Sequence, residues 1–291
     1  MSGRAAGGRA ACVIGWPAGH SRSPLIHRHW LQVHGISGDY RAEAVPPDAF
    51  AAFVQTLAEH GYVGASVTIP HKMAALALSL PDERARAIGA ANTLWLDAGR
   101  LRSTNTDAEG FIANLDACAP GWDEGGAAAL VLGAGGAARA VVFGLIERGV
   151  PRIEVANRTM ARAEELAQAF GPAVHPLPWN AASERPSGAQ LLVNTTSLGM
   201  AGQPPLSIAL DALPANAVVA DLVYVPRETP LLAAARARGL RCADGLGMLL
   251  HQAVRPFSLW FGVRPAVTPE LRALVEADLA GVPPSARAGQ G

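Results

Sequence analysis

The stretch "ALVLGAGGAARAVVFGLIERG", residues 129–149, decides the fold of this chain. It combines an apolar run of strand length, a glycine-rich turn and a helical pattern. Gly133, Gly135 and Ala138 keep the GxGxxA spacing, in which the glycines allow a tight turn and a close pyrophosphate, and the small alanine allows close packing of the helix. A purely structural glycine-rich turn is the alternative. The flanking strand and helix favour a dinucleotide-binding unit with phosphates at the helix N-terminus.

The end of the next predicted strand indicates which dinucleotide is bound. Asn157 stands about 24 positions after the first motif glycine, where NAD-binding folds place an acidic residue against the ribose hydroxyls. Arg158, Thr159 and Arg162 follow, and two guanidinium groups with a hydroxyl can bind a 2′-phosphate. The arginines could also simply be hydrated at a helix start, although cations there oppose the helix dipole. The sequence therefore predicts NADP in preference to NAD.

Strand-like and helix-like segments alternate along the whole chain. Over 291 residues this pattern predicts an α/β protein of two domains built around mainly parallel sheets. The predicted strands cover residues 11–14, 40–45, 62–69, 128–132, 152–156, 189–193, 217–223 and 240–243, with a hairpin at 92–107. The predicted helices cover residues 24–34, 48–60, 107–118, 136–148, 160–170, 229–238, 245–262 and 268–281. We expect the final helices to return and cover the first domain.

Polar residues follow the first and third predicted strands. Ser21 and Ser23 lie after the first strand, and we expect Ser23 to cap the next helix because Pro24 suits its first position. Lys72 follows the third strand, just before an apolar-rich segment. Ligands of open parallel sheets bind beyond the carboxyl ends of the strands. These residues are therefore predicted to line a ligand site.

A nicotinamide cofactor implies hydride transfer, which leaves one proton for a protein group to accept or return. Lys72 is the candidate, because burial and neighbouring groups can bring the pKa of a lysine down to about 7–8. Asp107, at the end of the predicted hairpin, could orient the amine. Their sequence separation does not establish a contact, so a surface lysine and a helix-capping aspartate remain open alternatives.

The composition favours a small molecule as the ligand. Lys plus Arg and Asp plus Glu each number 24, and the absence of a basic run argues against nucleic acid. The longest apolar window, residues 127–146, holds several glycines and an arginine and is unlike a membrane span. The three cysteines lack metal-ligand spacing, so we expect no metal and a reducing cytoplasm. Residues 1–11 and 281–291 are predicted to be loose tails, without a signal peptide.

A series of short motifs resembles the shikimate dehydrogenase family from about Val13 to Gly262. The motifs are "GHSRSPLIH", "GASVTIPHK", "GAANTL", "NTDAEGF", "GAGGAARA", "NRT", "NTTSLGM", "DLVY" and "ADGLGMLLHQA". The serine and lysine motifs are far more specific than the glycine motif. The resemblance implies an N-terminal α/β substrate domain completed by C-terminal helices, a Rossmann-type NADP-binding domain, and a cleft between them.

The resemblance also implies roles for individual residues. Lys72 and Asp107 would form the catalytic pair, with Lys72 taking the proton of the C3 hydroxyl of shikimate. Substrate-binding residues would be Ser21 and Ser23, toward the carboxylate, together with Thr68, Asn92, Tyr224 and Gln252. Cofactor-binding residues would be Gly133, Ala134, Gly135, Gly136, Ala137, Asn157, Arg158, Thr159, Arg162, Thr195, Ser197, Gly245 and Met248.

The implied domain boundaries are 1–109 for the substrate domain, 110–244 for the NADP-binding domain and 245–291 for the returning helices. The implied function is the reversible NADPH-dependent reduction of 3-dehydroshikimate to shikimate in chorismate biosynthesis, by a monomer or homodimer without membrane or nucleic-acid partners. Ser66 and His71 replace the Asn and Phe of some members, which leaves quinate or an amino analogue as alternative substrates, and NAD remains an alternative cofactor. A ligand-sensing relative without turnover is a remote alternative, because Lys72 and Asp107 are both present.

Overall fold

The computed structural model describes residues 8–184 and 188–281. Most of the two predicted tails, residues 1–7 and 282–291, lies outside the described residues. The first strand begins at Arg9, so the end of the predicted N-terminal tail belongs to a sheet instead. Within the described ranges, every helix is too short or too polar to span a bilayer.

Strands and helices alternate along the described chain. The strands are β1 Arg9–Gly15, β2 Gly38–Ala44, β3 Tyr62–Val67, β4 Leu80–Pro81, β5 Thr93–Asp97, β6 Arg100–Thr104, β7 Ala129–Leu132, β8 Ile153–Asn157, β9 Val174–Pro178, β10 Leu191–Asn194, β11 Val218–Asp221 and β12 Arg241–Asp244. The helices are α1 Ser23–Val33, α2 Phe50–Gln55, α3 Lys72–Ala77, α4 Glu83–Ile88, α5 Asp107–Cys118, α6 Gly136–Glu147, α7 Met160–Phe170, α8 Trp179–Glu184, α9 Pro230–Ala237, α10 Gly245–Gln252, α11 Val254–Phe261 and α12 Pro269–Leu279.

The chain divides into two compact units. Among the described residues, unit 1 contains those up to Thr106 and those from Ala253 onward, and unit 2 contains those from Asp107 to Gln252. The return to unit 1 thus begins at Ala253, later than the predicted boundary at residue 245. The reason is that α10 packs closely on α5, which opens unit 2.

The sheet of unit 1 has the order β2-β1-β3-β5-β6-β4. β1 runs parallel to β2 and β3, whereas β5 is antiparallel to both β3 and β6. In the register, Ser66 of β3 pairs with Thr93 of β5, and Thr93 pairs with Thr104 of β6. The start of β5 therefore lies at the same edge of the sheet as the ends of β1, β3 and β6.

The sheet of unit 2 is parallel throughout, in the order β12-β11-β10-β7-β8-β9. The chain goes from β7 to β8 on one side and later returns to β10 on the other. The boundary between β7 and β10 is thus a topological switch point, where open α/β sheets bind their ligands.

Each sheet is buried between apolar layers. All four residues of β7 are buried: Ala129 and Val131 face one core of unit 2, and Leu130 and Leu132 face the other. Such continuous apolar runs are typical of parallel strands covered on both faces. In unit 1, α11 contributes Trp260, whose indole N–H donates to the Leu94 carbonyl at 2.9 Å.

Two predicted elements differ from the structure. The helix predicted over residues 48–60 covers only Phe50–Gln55, and beyond it the backbone forms a series of turns, which begins with the Leu57 N–H donating to the Val54 carbonyl. The sequence analysis also missed α4, although Asp82 caps it by accepting from the Ala85 N–H at 2.8 Å and Gly89 ends it at φ +75°.

Candidate active site

The loop after β1 carries the two serines of unit 1. Ser23 is the first residue of α1 and not its N-cap, which is Arg22. Instead, the Oγ of Ser21 accepts the Ser23 N–H at 3.3 Å, so Ser21 satisfies a free donor of the first turn. The Arg22 Nε lies 2.7 Å from an Asp278 carboxylate oxygen of α12, and its Nη1 donates to the His20 carbonyl at 2.9 Å. These contacts hold both hydroxyls on a fixed loop.

Lys72 is the first residue of α3 and is separated from the end of β3 by the short loop of residues 68–71. Its backbone carbonyl accepts the Ala91 N–H at 2.9 Å, which joins it to the residue before Asn92. His71 is buried, stacks on Phe50 with ring centroids 4.3 Å apart, and has Nε2 2.8 Å from the Val45 carbonyl. His71 therefore anchors the segment before Lys72 in the interior.

Lys72 is also the only lysine among the 24 lysine and arginine residues of the chain. Arginine supplies every other permanent side-chain cation. A guanidinium group cannot be deprotonated in proteins, whereas lysine is the basic side chain that proteins can use as a general base. The sequence analysis overlooked this signal, which distinguishes position 72 from every other cationic position.

Asn92 precedes β5 and links it to the end of β6. Its Nδ2 donates to the Thr106 Oγ1 at 3.0 Å, and its Oδ1 accepts the Thr106 N–H at 2.8 Å and the Thr93 hydroxyl at 2.9 Å. Thr106 is fully buried and is bonded covalently to Asp107, the first residue of α5. Hydrogen bonds within unit 1 therefore fix the position of Thr106. Thr68 lies at the same sheet edge, with its N–H donating to the Ile14 carbonyl at 2.9 Å.

A buried tyrosine that was not among the predicted site residues holds a serine at this edge. The Tyr40 hydroxyl donates to Ser66 Oγ at 2.8 Å. Burial raises the pKa of Tyr40 well above its usual value, so the group stays a neutral phenol. Its ring stacks on the buried His27 at 4.1 Å. Ser66 is thus held by Tyr40 rather than free to adjust.

The glycine-rich turn of unit 2 fits a dinucleotide phosphate. Gly133 has φ +103°, which only glycine adopts readily, and a Cβ there would approach Thr195 Oγ1 to 2.7 Å. Around Gly135 and Gly136, no described atom lies within 4 Å of where a Cβ would stand, and no described side chain caps α6. The turn therefore offers backbone N–H groups and open space to an anion. Ala134 and Ala137 complete the segment.

The end of β8 suits an additional phosphate. The Nδ2 of Asn157 donates to the Thr159 carbonyl at 2.8 Å, which holds the turn before α7. Thr159 is the N-cap of α7, and both Arg158 and Arg162 are exposed there. Neutral and positive groups thus occupy the position where an acidic side chain would repel a 2′-phosphate.

Thr195, Ser197 and Tyr224 lie in the loops after β10 and β11, beside the switch point. The Thr195 hydroxyl donates to the Leu132 carbonyl at 2.7 Å, next to the glycine-rich turn. Asp221 was not among the predicted site residues, yet this buried carboxylate joins the two loops. Such a link depends on pairing between β10 and β11, which no local motif reveals.

The helices α5 and α10 bring the two ends of unit 2 together. A Cβ on Gly110 of α5 would approach the backbone nitrogen of Gln252 to 2.7 Å, and a Cβ on Gly247 of α10 would overlap Asn114. Asp107 and Gln252 therefore lie at the same end of this helix pair. Gly245 and Met248, on α10, are buried.

Within residues 8–184 and 188–281, no cluster of three or more His, Cys, Asp or Glu side chains could hold a metal ion.

Comparisons with known proteins give a consistent result. The family model for the shikimate dehydrogenase substrate binding domain matches residues 13–94, that for shikimate/quinate 5-dehydrogenase matches 122–198, and that for the shikimate 5′-dehydrogenase C-terminal domain matches 245–274. A Nitrobacter hamburgensis protein named shikimate dehydrogenase (NADP(+)) is 71% identical over 272 residues, covering 94% of this chain and 95% of the relative. The chain belongs to the shikimate dehydrogenase family.

Solved structures of shikimate dehydrogenases and related enzymes share this fold. The shikimate 5-dehydrogenase of Thermus thermophilus, in complex with NADP(H) and shikimate, is 36% identical with a TM-score of 0.82, over 94% of this chain and 99% of that chain. The quinate dehydrogenase of Corynebacterium glutamicum, in complex with NAD, is 30% identical with a TM-score of 0.81, over 92% and 98% of the two chains. The predicted α/β class of a shikimate dehydrogenase, with a substrate domain and an NADP-binding domain, is therefore confirmed.

Proposed function

We propose that this shikimate dehydrogenase family member catalyses the reversible NADPH-dependent reduction of 3-dehydroshikimate to shikimate, a step of chorismate biosynthesis. The observation that carries the proposal is the single lysine, which stands at the sheet edge where the polar residues of unit 1 collect. The 71% identical relative named shikimate dehydrogenase (NADP(+)) supports the same activity. Unit 1 would serve as the substrate domain and unit 2 as the cofactor domain.

Ser21 and Ser23 would bind the substrate carboxylate. Hydroxyl groups on a fixed loop donate hydrogen bonds to an anion with little loss of conformational entropy on binding. Thr68 and Asn92, at the same sheet edge, would bind the ring hydroxyls. Gln252 and Tyr224 are proposed as further substrate contacts from unit 2.

Lys72 and Asp107 would move the proton. In shikimate oxidation, the neutral amine of Lys72 would accept the proton of the C3 hydroxyl as the C–H bond of that carbon breaks. In the reduction, the ammonium would return a proton to the oxygen of the 3-keto group. Asp107 would hold the amine by a hydrogen bond and stabilise its protonated form.

The cofactor, when bound, supplies the nicotinamide that exchanges hydride with the substrate. The N–H groups of Gly133, Ala134, Gly135, Gly136 and Ala137 would bind the pyrophosphate, and Arg158, Thr159 and Arg162 would bind the 2′-phosphate beside Asn157. Thr195, Ser197, Gly245 and Met248 would border the nicotinamide end.

Quinate oxidation with NAD is the second candidate, because the related Corynebacterium glutamicum structure is a quinate dehydrogenase in complex with NAD. The groups at the end of β8 argue against quinate oxidation with NAD, since Arg158 and Arg162 favour NADP.

We place the enzyme in the cytoplasm as a monomer or homodimer. The three cysteines form no disulfide bond, which suits a reducing compartment.

Steady-state kinetics with shikimate or quinate, each with NADP or NAD, test the proposal. We expect the highest kcat/KM for shikimate with NADP, followed as absorbance of the reduced cofactor. Lys72→Arg keeps the charge but cannot release a proton, so kcat should fall by about 10²–10⁴-fold. Absence of turnover with all four pairs, or normal turnover by Lys72→Arg, would contradict the proposal.

A further inference from the structure

Asp221 is a buried carboxylate that the proposed reaction does not use. It ends β11 and is 1% exposed. Its Oδ1 accepts the Asn194 Nδ2–H at 2.9 Å and the Val223 N–H at 3.0 Å, and its Oδ2 accepts the Thr229 hydroxyl at 2.7 Å. These three donors are neutral, and burial raises the pKa of the carboxyl group. Burying a carboxyl group among neutral partners costs free energy, so we look for a function of Asp221 that a smaller apolar residue could not perform.

The Asn194 side chain extends this network into the loop after β10. Its Nδ2 also donates to the Leu198 carbonyl at 3.1 Å, and its Oδ1 accepts the N–H and hydroxyl of Thr196 at 3.0 and 2.7 Å. Thr195 and Ser197 alternate with these residues along the loop. The network therefore fixes the backbone that presents both proposed cofactor contacts.

The other bonds of Asp221 organise the loop after β11. The N–H of Val223 is held directly, and Thr229 is the N-cap of α9, where its hydroxyl also accepts the Leu232 N–H at 3.3 Å. Tyr224 lies between these two anchor points. One carboxylate thus joins the loop after β10, which holds the proposed cofactor contacts, to the loop after β11, which holds the proposed substrate contact Tyr224.

We propose that Asp221 is a positioning residue, which places the loops after β10 and β11 for the nicotinamide half of NADP(H). The inference rests on the proposed function and deepens it. A carboxylate can accept bonds from both loops at once through its two oxygens. In Asp221→Asn, the shape is kept, but an NH₂ group faces the Thr229 hydroxyl, whose oxygen already accepts from Leu232. The bond to the second loop is thereby weakened.

Two cofactor probes test the inference. NADPH contains the nicotinamide, whereas 2′-phospho-ADP-ribose contains only the phosphates, the adenosine and the terminal ribose. For Asp221→Asn we expect the Kd of NADPH to rise about tenfold, the size of one strong hydrogen bond, while the Kd of 2′-phospho-ADP-ribose stays within about twofold. Calorimetry measures both. A general loss of structure would raise the Kd of both probes by a similar factor. That result would overturn the inference, and so would an unchanged Kd for both probes.

Two further variants complete the experiment. Thr229→Val removes the hydroxyl that donates to Asp221 and accepts the Leu232 N–H, and it leaves the carboxylate in place. It should raise the Kd of NADPH selectively but less than Asp221→Asn, and it replaces that variant if Asp221→Asn does not fold. Glu154→Gln alters a buried carboxylate in β8, which pairs with Arg152 at 2.9 Å, and should change neither Kd. Wild-type protein that neither binds NADPH nor oxidises shikimate would overturn the proposed function. Active wild type with an unchanged ratio of affinities in Asp221→Asn would overturn this inference alone.

Discussion

Gly110 on α5 lies so close to Gln252 on α10 that a methyl group at position 110 would come within 2.7 Å of the Gln252 backbone nitrogen. Contacts below 3.0 Å force the backbone to move, and Gln252 is a proposed substrate contact, where a shift of about 1 Å can cost up to about 10²-fold in activity. Gly110 thereby sets the position of Gln252 at the end of the helix pair that holds Asp107.

Gly110→Ala should therefore raise the KM for shikimate by about tenfold or more and lower kcat. Gly144→Ala is the matched control: it makes the same change in α6, where the nearest atom is a side-chain carbon of Ile112 at 3.0 Å and the nearest backbone atom is 3.4 Å away. Kinetics of both variants check the prediction. Equal kinetics for Gly110→Ala and wild type would show that the helix contact does not position Gln252.

The single lysine allows Lys72 to be tested without mutation. Formaldehyde with a borohydride methylates amines, so the Lys72 side chain is the only lysine target in the chain. We expect saturating shikimate to slow methylation of Lys72, because the substrate hydroxyl would cover the amine. Peptide mass spectrometry measures the rate, with methylation of the N-terminal amine as internal control. Equal rates with and without shikimate would place the amine away from the substrate.

Arg158 and Arg162 should determine the choice of cofactor. Replacing both with alanine removes charge-assisted bonds to the 2′-phosphate, so kcat/KM with NADP should fall by about 10²-fold while that with NAD stays nearly constant. Arg152→Ala is the control, because Arg152 is exposed beside the opposite end of β8. An equal fall in kcat/KM with NADP and with NAD would mean that the arginines support the fold and do not determine cofactor selectivity.

The buried His27 should make the stability of unit 1 depend on pH. Neither ring nitrogen has a hydrogen-bond partner among the described residues, and burial lowers the pKa of His27 from 6.5 to about 3. Between these values the unfolded chain binds the proton and the folded chain does not. Stability is therefore fully present above pH 6.5 and falls by about 1.4 kcal/mol for each unit of pH below it.

Urea unfolding at about pH 7.5 and about pH 5.5 measures this effect. His27→Phe keeps a ring against Tyr40 and cannot be protonated. Between about pH 7.5 and about pH 5.5, the free energy of unfolding of this variant should therefore fall by about 1.4 kcal/mol less than that of the wild type. Trp30→Phe, in contact with the same ring, should lower stability at both pH values without changing the difference. An unchanged pH dependence in His27→Phe would exclude His27 as its source.

Much of the fold follows from local sequence patterns. Apolar strands, glycine turns and helical segments predicted the α/β class, which is confirmed, as are the family and its NADP-dependent activity. One error was local: Ser23 is the first residue of α1 and not its cap, and the Ser21 hydroxyl accepts its N–H. Another was long-range: α10 packs on α5, so the return to unit 1 begins after α10, and no local pattern predicts such packing.

The candidate site was only partly predictable. Strand order places Ser21, Thr68 and Lys72 at one edge, because ends of parallel strands meet, but their roles stay predictions. Tyr40 and Asp221 were not selected, because each acts through partners far away in sequence: Ser66 for Tyr40 and Asn194 for Asp221. The role of a buried polar residue can be inferred only when its hydrogen-bond partners are known.

Trp260 of α11 fills the space left by Gly64 of β3 and bonds the Leu94 carbonyl of β5. The ribosome makes Gly64 and Leu94 long before Trp260, while unit 2 is one uninterrupted stretch of chain between them. During synthesis, unit 2 can therefore fold first. Until α11 has been synthesised, the N-terminal strands keep an apolar face exposed to solvent. Exposed apolar surface of this kind makes a nascent chain prone to aggregation and a target for chaperones.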